Sequence, residues 1–235
     1  MVRRGPRARE RAEVGAAVEP AAAVESPGAD EHAPLSAAAL PEAPLPEDPA
    51  ELLAHWRQRV LQNGTDVASR RELARLYAAR GEAEQALEQY EAAKALAPED
   101  AALIVESADV QIGLRRFEQA ERELRKLLKL QPEQGGAHLA LGTASFRRGL
   151  YGQAEQELRR AVELLPDNAI APFYRGEALN QLDRVDEALD MLERALALDP
   201  TNSRAYYVMG ILYDKKGRPQ DAATYFRKAR EAGGS

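Results

Sequence analysis

Apolar side chains return at intervals of three and four along most of this chain, and the runs are broken at evenly spaced points. The first run opens at Asp48-Pro49-Ala50-Glu51, which reads as an Asp N-cap, a proline at the first helical position and a glutamate reaching back from the third. Leu52, Leu53, Trp56 and Val60 follow at helical spacing, and Asn63-Gly64 supplies the stop. This predicts one amphipathic helix over 48–62. From residue 67 onward, pairs of amphipathic stretches, each about a dozen residues long, alternate with short breaks. Gly81, Gly149 and Gly217 mark the break inside three pairs, with Asp183 at the same place in another.

The pairs recur with a period of 34 and no insertion: Pro98, Pro132, Pro166 and Pro200 keep it, and so do Ala86, Ala120, Ala154, Ala188 and Ala222. Asp66, Asp100, Gln134, Asn168 and Asn202 precede the successive units, and four of these five are good helix N-caps. The prolines fall after the second helix of each pair, which they cannot continue. The repeated alanine lies in the second helix, where a small side chain lets two backbones approach. A lone helix pair cannot bury its apolar face, so neighbouring units must stack into one continuous core. The units predicted are 67–100, 101–134, 135–168, 169–202 and 203–235.

This pattern resembles the tetratricopeptide repeat (TPR) family, whose unit is a 34-residue helix–turn–helix. The first unit carries it as Leu73, Ala74, Tyr77, Gly81, Ala86, Tyr90, Ala93 and Pro98; the third as Leu141, Gly142, Gly149, Tyr151, Ala154, Ala161 and Pro166; the fifth as Tyr206, Gly210, Tyr213, Gly217, Ala222, Phe226 and Ala229. The fourth has Gly176, Ala188, Ala195 and Pro200. The second departs most, with Ser107 and Gln111 where a leucine and a tyrosine are usual. The resemblance implies an all-α, right-handed superhelical solenoid over 67–235, with 48–66 as a capping helix or degenerate half-repeat.

It also implies a concave groove lined by positions 2, 5, 9, 12 and 13 of each unit, whose spacing of three and four falls on one helical face. The groove residues are then Arg71 and Arg75, with Ala78 and Ala79, in the first unit; Val105, Asp109 and Ile112 in the second; and Leu139, Thr143, Phe146 and Arg147 in the third. Ile170, Phe173, Glu177, Asn180 and Gln181 follow in the fourth and Arg204, Tyr207, Ile211, Asp214 and Lys215 in the fifth. Val105, Ile112, Leu139, Phe146, Phe173, Tyr207 and Ile211 are expected to form an apolar stripe for an extended apolar peptide or one amphipathic helix. The same side chains could instead turn into the core between repeats. Some family members clamp the acidic tails of cytosolic chaperones with lysines, arginines and asparagines. Glu106, Gly136 and Ala140 stand where that clamp needs asparagine and two cations, which excludes this ligand.

Composition narrows the remaining classes. Residues 1–47 are rich in alanine, proline and glutamate and lack any aromatic residue, so they cannot bury enough apolar surface to offset backbone ordering; a disordered tail is expected. Arg3, Arg4, Arg7, Arg9 and Arg11 open it, with no aromatic interleaved for base stacking, and a net charge of −6 opposes a nucleic-acid binder. Tethering to nucleic acid or an anionic surface through these arginines remains an alternative. Cysteine is absent and the three histidines are scattered, so no metal, cofactor, thiolate nucleophile or lipidated cysteine is expected. Phosphate-loop, GxSxG and HExxH motifs are also absent. No apolar stretch approaches the roughly 20 residues of a membrane span, and no apolar run follows the first arginines, which suggests a cytoplasmic chain. The reading is a non-enzymatic scaffold or adaptor for a protein partner, or a chaperone for an export or assembly substrate. Tyr225 and Phe226 at the last unit suggest weak self-association through that end.

Overall fold

The computed structural model describes residues 45–234, and among these every regular element is an α-helix. α1 (Pro49–Gln62) is followed by five pairs: α2 (Val67–Ala79) and α3 (Ala83–Leu96), α4 (Ala101–Gly113) and α5 (Phe117–Leu130), α6 (Gly135–Arg147) and α7 (Tyr151–Leu164), α8 (Ile170–Gln181) and α9 (Val185–Leu198), α10 (Ser203–Lys215) and α11 (Pro219–Gly233). The tail over 1–47, with its arginine cluster, lies outside the described residues up to residue 44. Among the described residues no helix is long and apolar enough to cross a membrane.

The helix starts are set by short polar side chains. Asp48 Oδ1 accepts hydrogen bonds from the N–H groups of Ala50 and Glu51 at 2.8 and 3.0 Å, and Asp66, Asp100 and Asn202 cap α2, α4 and α10 in the same way. Asn168 caps α8 from two positions before its first residue, taking the N–H groups of Ile170 and Ala171 at 2.9 and 3.0 Å. Gln134 makes no such bond. Each pair turns through one residue of positive φ: Gly81, Arg115, Gly149, Asp183 and Gly217, all 34 apart, with φ between 58° and 78°. Glycine reaches this left-handed region freely and aspartate tolerates it, whereas Arg115 adopts it at a cost.

The repeated alanines Ala86, Ala120, Ala154, Ala188 and Ala222 are all buried at the crossing within each pair. Across that crossing a glycine of the first helix receives a bulky side chain of the second. A Cβ on Gly142, Gly176 or Gly210 would lie 2.5, 2.8 or 2.5 Å from Leu158, Leu192 or the ring of Phe226. α1 lies 34 residues before α3 and so occupies the register of a second helix. Its Leu53, Trp56 and Val60 pack on Leu73, Ala74 and Tyr77, and Arg57 Nε donates to Tyr77 Oη at 2.9 Å.

α3, α5, α7 and α9 each pack on the first helix of the next pair, which links the pairs into one stack. Consecutive first helices also touch one another from α4 through α6 and α8 to α10, while no two second helices pack to that extent. The stack therefore bends with its first helices on the inner side.

Candidate functional site

The inner face has three zones. At its beginning, α2 and α4 are joined by charge. Arg71 Nε donates to Glu106 Oε2 at 3.1 Å, Arg75 Nη2 to Oε1 at 2.6 Å, and Tyr90 Oη adds a bond at 3.3 Å. Burial alone would raise the Glu106 carboxyl, but the two guanidinium groups outweigh it and hold it below the usual glutamate value. Arg71 and Arg75 are thus committed to a neighbouring repeat rather than offered to a ligand. The residue that removes the anionic-tail clamp by sequence also neutralises its cations in space.

The last zone is tied in the same way. Arg204 donates to Glu177 Oε1 from Nε at 3.0 Å and lies over the Phe173 ring at 5.7 Å, and Lys215 Nζ donates to Asn180 Oδ1 at 2.9 Å. Glu177 is buried and its Oε2 has no hydrogen-bond partner, so burial raises its carboxyl against the pull of Arg204. Asp214 is exposed on α10.

The seven-residue apolar stripe is not continuous. Ile112 is 2% exposed and Phe173 6%, which places both in the packing between repeats instead of on an open surface. Phe173 faces α10 because a residue at position 5 lies between the inner face and the next first helix, and here Ala205, Val208 and Met209 cover it. Val105, Leu139, Phe146 and Ile211 are half-buried, and Tyr207 is 54% exposed at the far end of the stack.

The central zone, across α4 and α6, differs in kind. Val105, Asp109, Leu139, Thr143, Phe146 and Arg147 all keep accessible surface. The Phe146 ring is held at 5.6 Å from those of Tyr151 and Tyr174, and Leu139 and Phe146 rest on Ala154, Leu158 and Ala178. Asp109 reaches solvent, yet protein hems it in on the inner curve. Desolvation, reinforced by Glu106 and only partly offset by Arg147, pushes its carboxyl up to about 6.

Where the inner face ends, the last pair carries an apolar groove of about 800 Å³ lined by Tyr207 of α10 and Ala223, Phe226 and Ala229 of α11, with Arg204 and Arg230. The α11 residues escaped the positional rule, which considers first helices alone. Their signal was the 34-residue register, which equates Phe226 with the buried Leu192.

Tetratricopeptide repeat profiles match residues 67–92, 105–169 and 167–233. The chain belongs to the tetratricopeptide repeat family. Among solved TPR structures it is similar to YrrB, described as a TPR protein with an unusual peptide-binding site, at 26% identity and a TM-score of 0.56 over 75% of this chain and 91% of that one. MamA from Desulfovibrio magneticus RS-1 matches at 22% identity and a TM-score of 0.58, covering 79% and 96%. A chain of the APC/C hetero-tetramer Cut9–Hcn1 matches at 18% and 0.73, covering 79% of this chain and 37% of that one. No curated protein matches the sequence. Membership of the TPR family supports a role as a protein-interaction scaffold.

Proposed function

We propose that this TPR protein is a non-enzymatic scaffold that holds a segment of another polypeptide against the centre of its inner face. One observation supports the site: among the described residues, the central side chains Val105, Asp109, Leu139, Thr143, Phe146 and Arg147 carry no hydrogen bond or ion pair between repeats, while Arg71 and Arg75 at one end and Arg204 and Lys215 at the other are tied to a neighbouring repeat. Surface that stays open and partly apolar after the repeats have packed is what a partner segment requires. An apolar side chain of the segment fits against Leu139 and Phe146, and a basic group fits near Asp109.

The test is capture from native lysate with three immobilised proteins: the wild type, Leu139→Ala/Phe146→Ala, and an outer-face control, Arg160→Ala. A partner retained by wild type and control but lost from the double variant supports the reading. Equal capture by all three, with folding intact by circular dichroism, rejects it. Phe173 is not a suitable target, because truncating a side chain this buried opens a cavity in the core.

A further inference from the structure

The groove on the last helix pair is distinct from the central inner face, and its chemistry can be read from the repeat itself. Subtracting 34 from Tyr207, Ala223, Phe226 and Ala229 gives Phe173, Leu189, Leu192 and Ala195. Those four residues are the same face on the preceding pair, and each is 0–6% exposed. α10 packs over this face, its Ala205, Val208, Met209 and Leu212 lying in one core cluster with these four residues, while Leu192 also sits against Gly176 of α8. On the last pair nothing among the described residues occupies the equivalent place, and Tyr207 is 54% exposed.

We propose that this groove receives one amphipathic α-helix of a partner protein, seated as α10 sits on the preceding pair. The partner helix presents a small residue, to match Ala205, and apolar residues three, four and seven positions later, to match Val208, Met209 and Leu212. A helix suits an apolar groove because it satisfies its own backbone hydrogen bonds, whereas an extended segment would leave N–H and C=O groups unpaired there. The surface continues the established interface between repeats, so it offers packing of a kind that the fold already makes four times between its five pairs.

The probe is a labelled, N-acetylated peptide of residues 202–217, the chain's own α10 segment, titrated into the full chain and followed by fluorescence anisotropy. Saturable binding is expected, with helix induced in the peptide. It should weaken at least tenfold in Ala223→Arg, which blocks the groove from an exposed position, and in a peptide carrying aspartate at the positions of Val208, Met209 and Leu212. Phe146→Ala should bind as wild type does, separating this groove from the central face. Absence of saturation, equal affinity for Ala223→Arg, or a bound peptide that stays extended overturns the proposal. Concentration-dependent dimerisation of the chain that Ala223→Arg abolishes would assign the groove to a second copy instead.

Discussion

At the scale of single residues, the repeat is held by positions where only one kind of backbone or side chain fits. Five residues 34 apart turn the chain through positive φ, and Arg115 is the one with a long side chain. Left-handed backbone costs such a residue about 1 kcal/mol, so Arg115→Gly should raise the unfolding free energy by about 0.5–1 kcal/mol in urea melts, part of the gain being offset by glycine's freedom in the unfolded chain. Gly210 behaves oppositely, because its missing Cβ leaves the space taken by Phe226. Gly210→Ala should lower stability by about 1–3 kcal/mol despite alanine's better helix propensity, since an aromatic ring has little room to yield. Asp109 is unusual in having a folded-state pKa of about 6, above the roughly 3.9 of an unfolded aspartate. The raised value means that its ionised form destabilises the fold above pH 6, a penalty that fades as the pH falls toward 4. Asp109→Asn should therefore raise the thermal midpoint at pH 7.5, and the difference from wild type should shrink through that window.

At the scale of elements, the interfaces between pairs share one geometry but differ in chemistry. Glu155 on α7 is buried and accepts a hydrogen bond from Arg175 Nη2 on α8 at 3.0 Å. One period later the same two positions hold Leu189 and Met209, packed in an apolar cluster. Arg175→Met alone removes the closer of the two cations beside this buried carboxylate, leaving Arg184 at 3.8 Å, and should cost about 2 kcal/mol. The double variant Glu155→Leu/Arg175→Met reproduces the next interface and should be neutral or more stable, as chemical denaturation of the two variants can show. The second pair has the opposite defect, in that Ser107 and Gln111 are buried with Ser107 Oγ and Gln111 Oε1 unpaired. These are the positions where the sequence departs most from the family pattern, so a local irregularity of sequence becomes a local polar gap in packing.

At the scale of the whole molecule, each pair is supported only by its neighbours, so stability should vary along the stack. Ala222 is the sole buried residue of α11, whereas four residues of α9 are buried. Amide hydrogen exchange should accordingly be faster in α11 than in α9, and equal protection of the two would contradict this picture. The helices, their phase and the family were legible in the sequence, because periods of 3.6 and 34 follow from backbone geometry and from the need to stack identical units. The inner-face positions were legible only as a helical stripe. Which of those side chains stay open depends on the next helix: α10 covers Phe173, nothing described covers Tyr207, and Glu106 draws Arg71 and Arg75 sideways. A period assigns the direction in which a side chain leaves its own helix, but accessibility is set by what another element places in front of it, and that was decided by the tertiary structure alone.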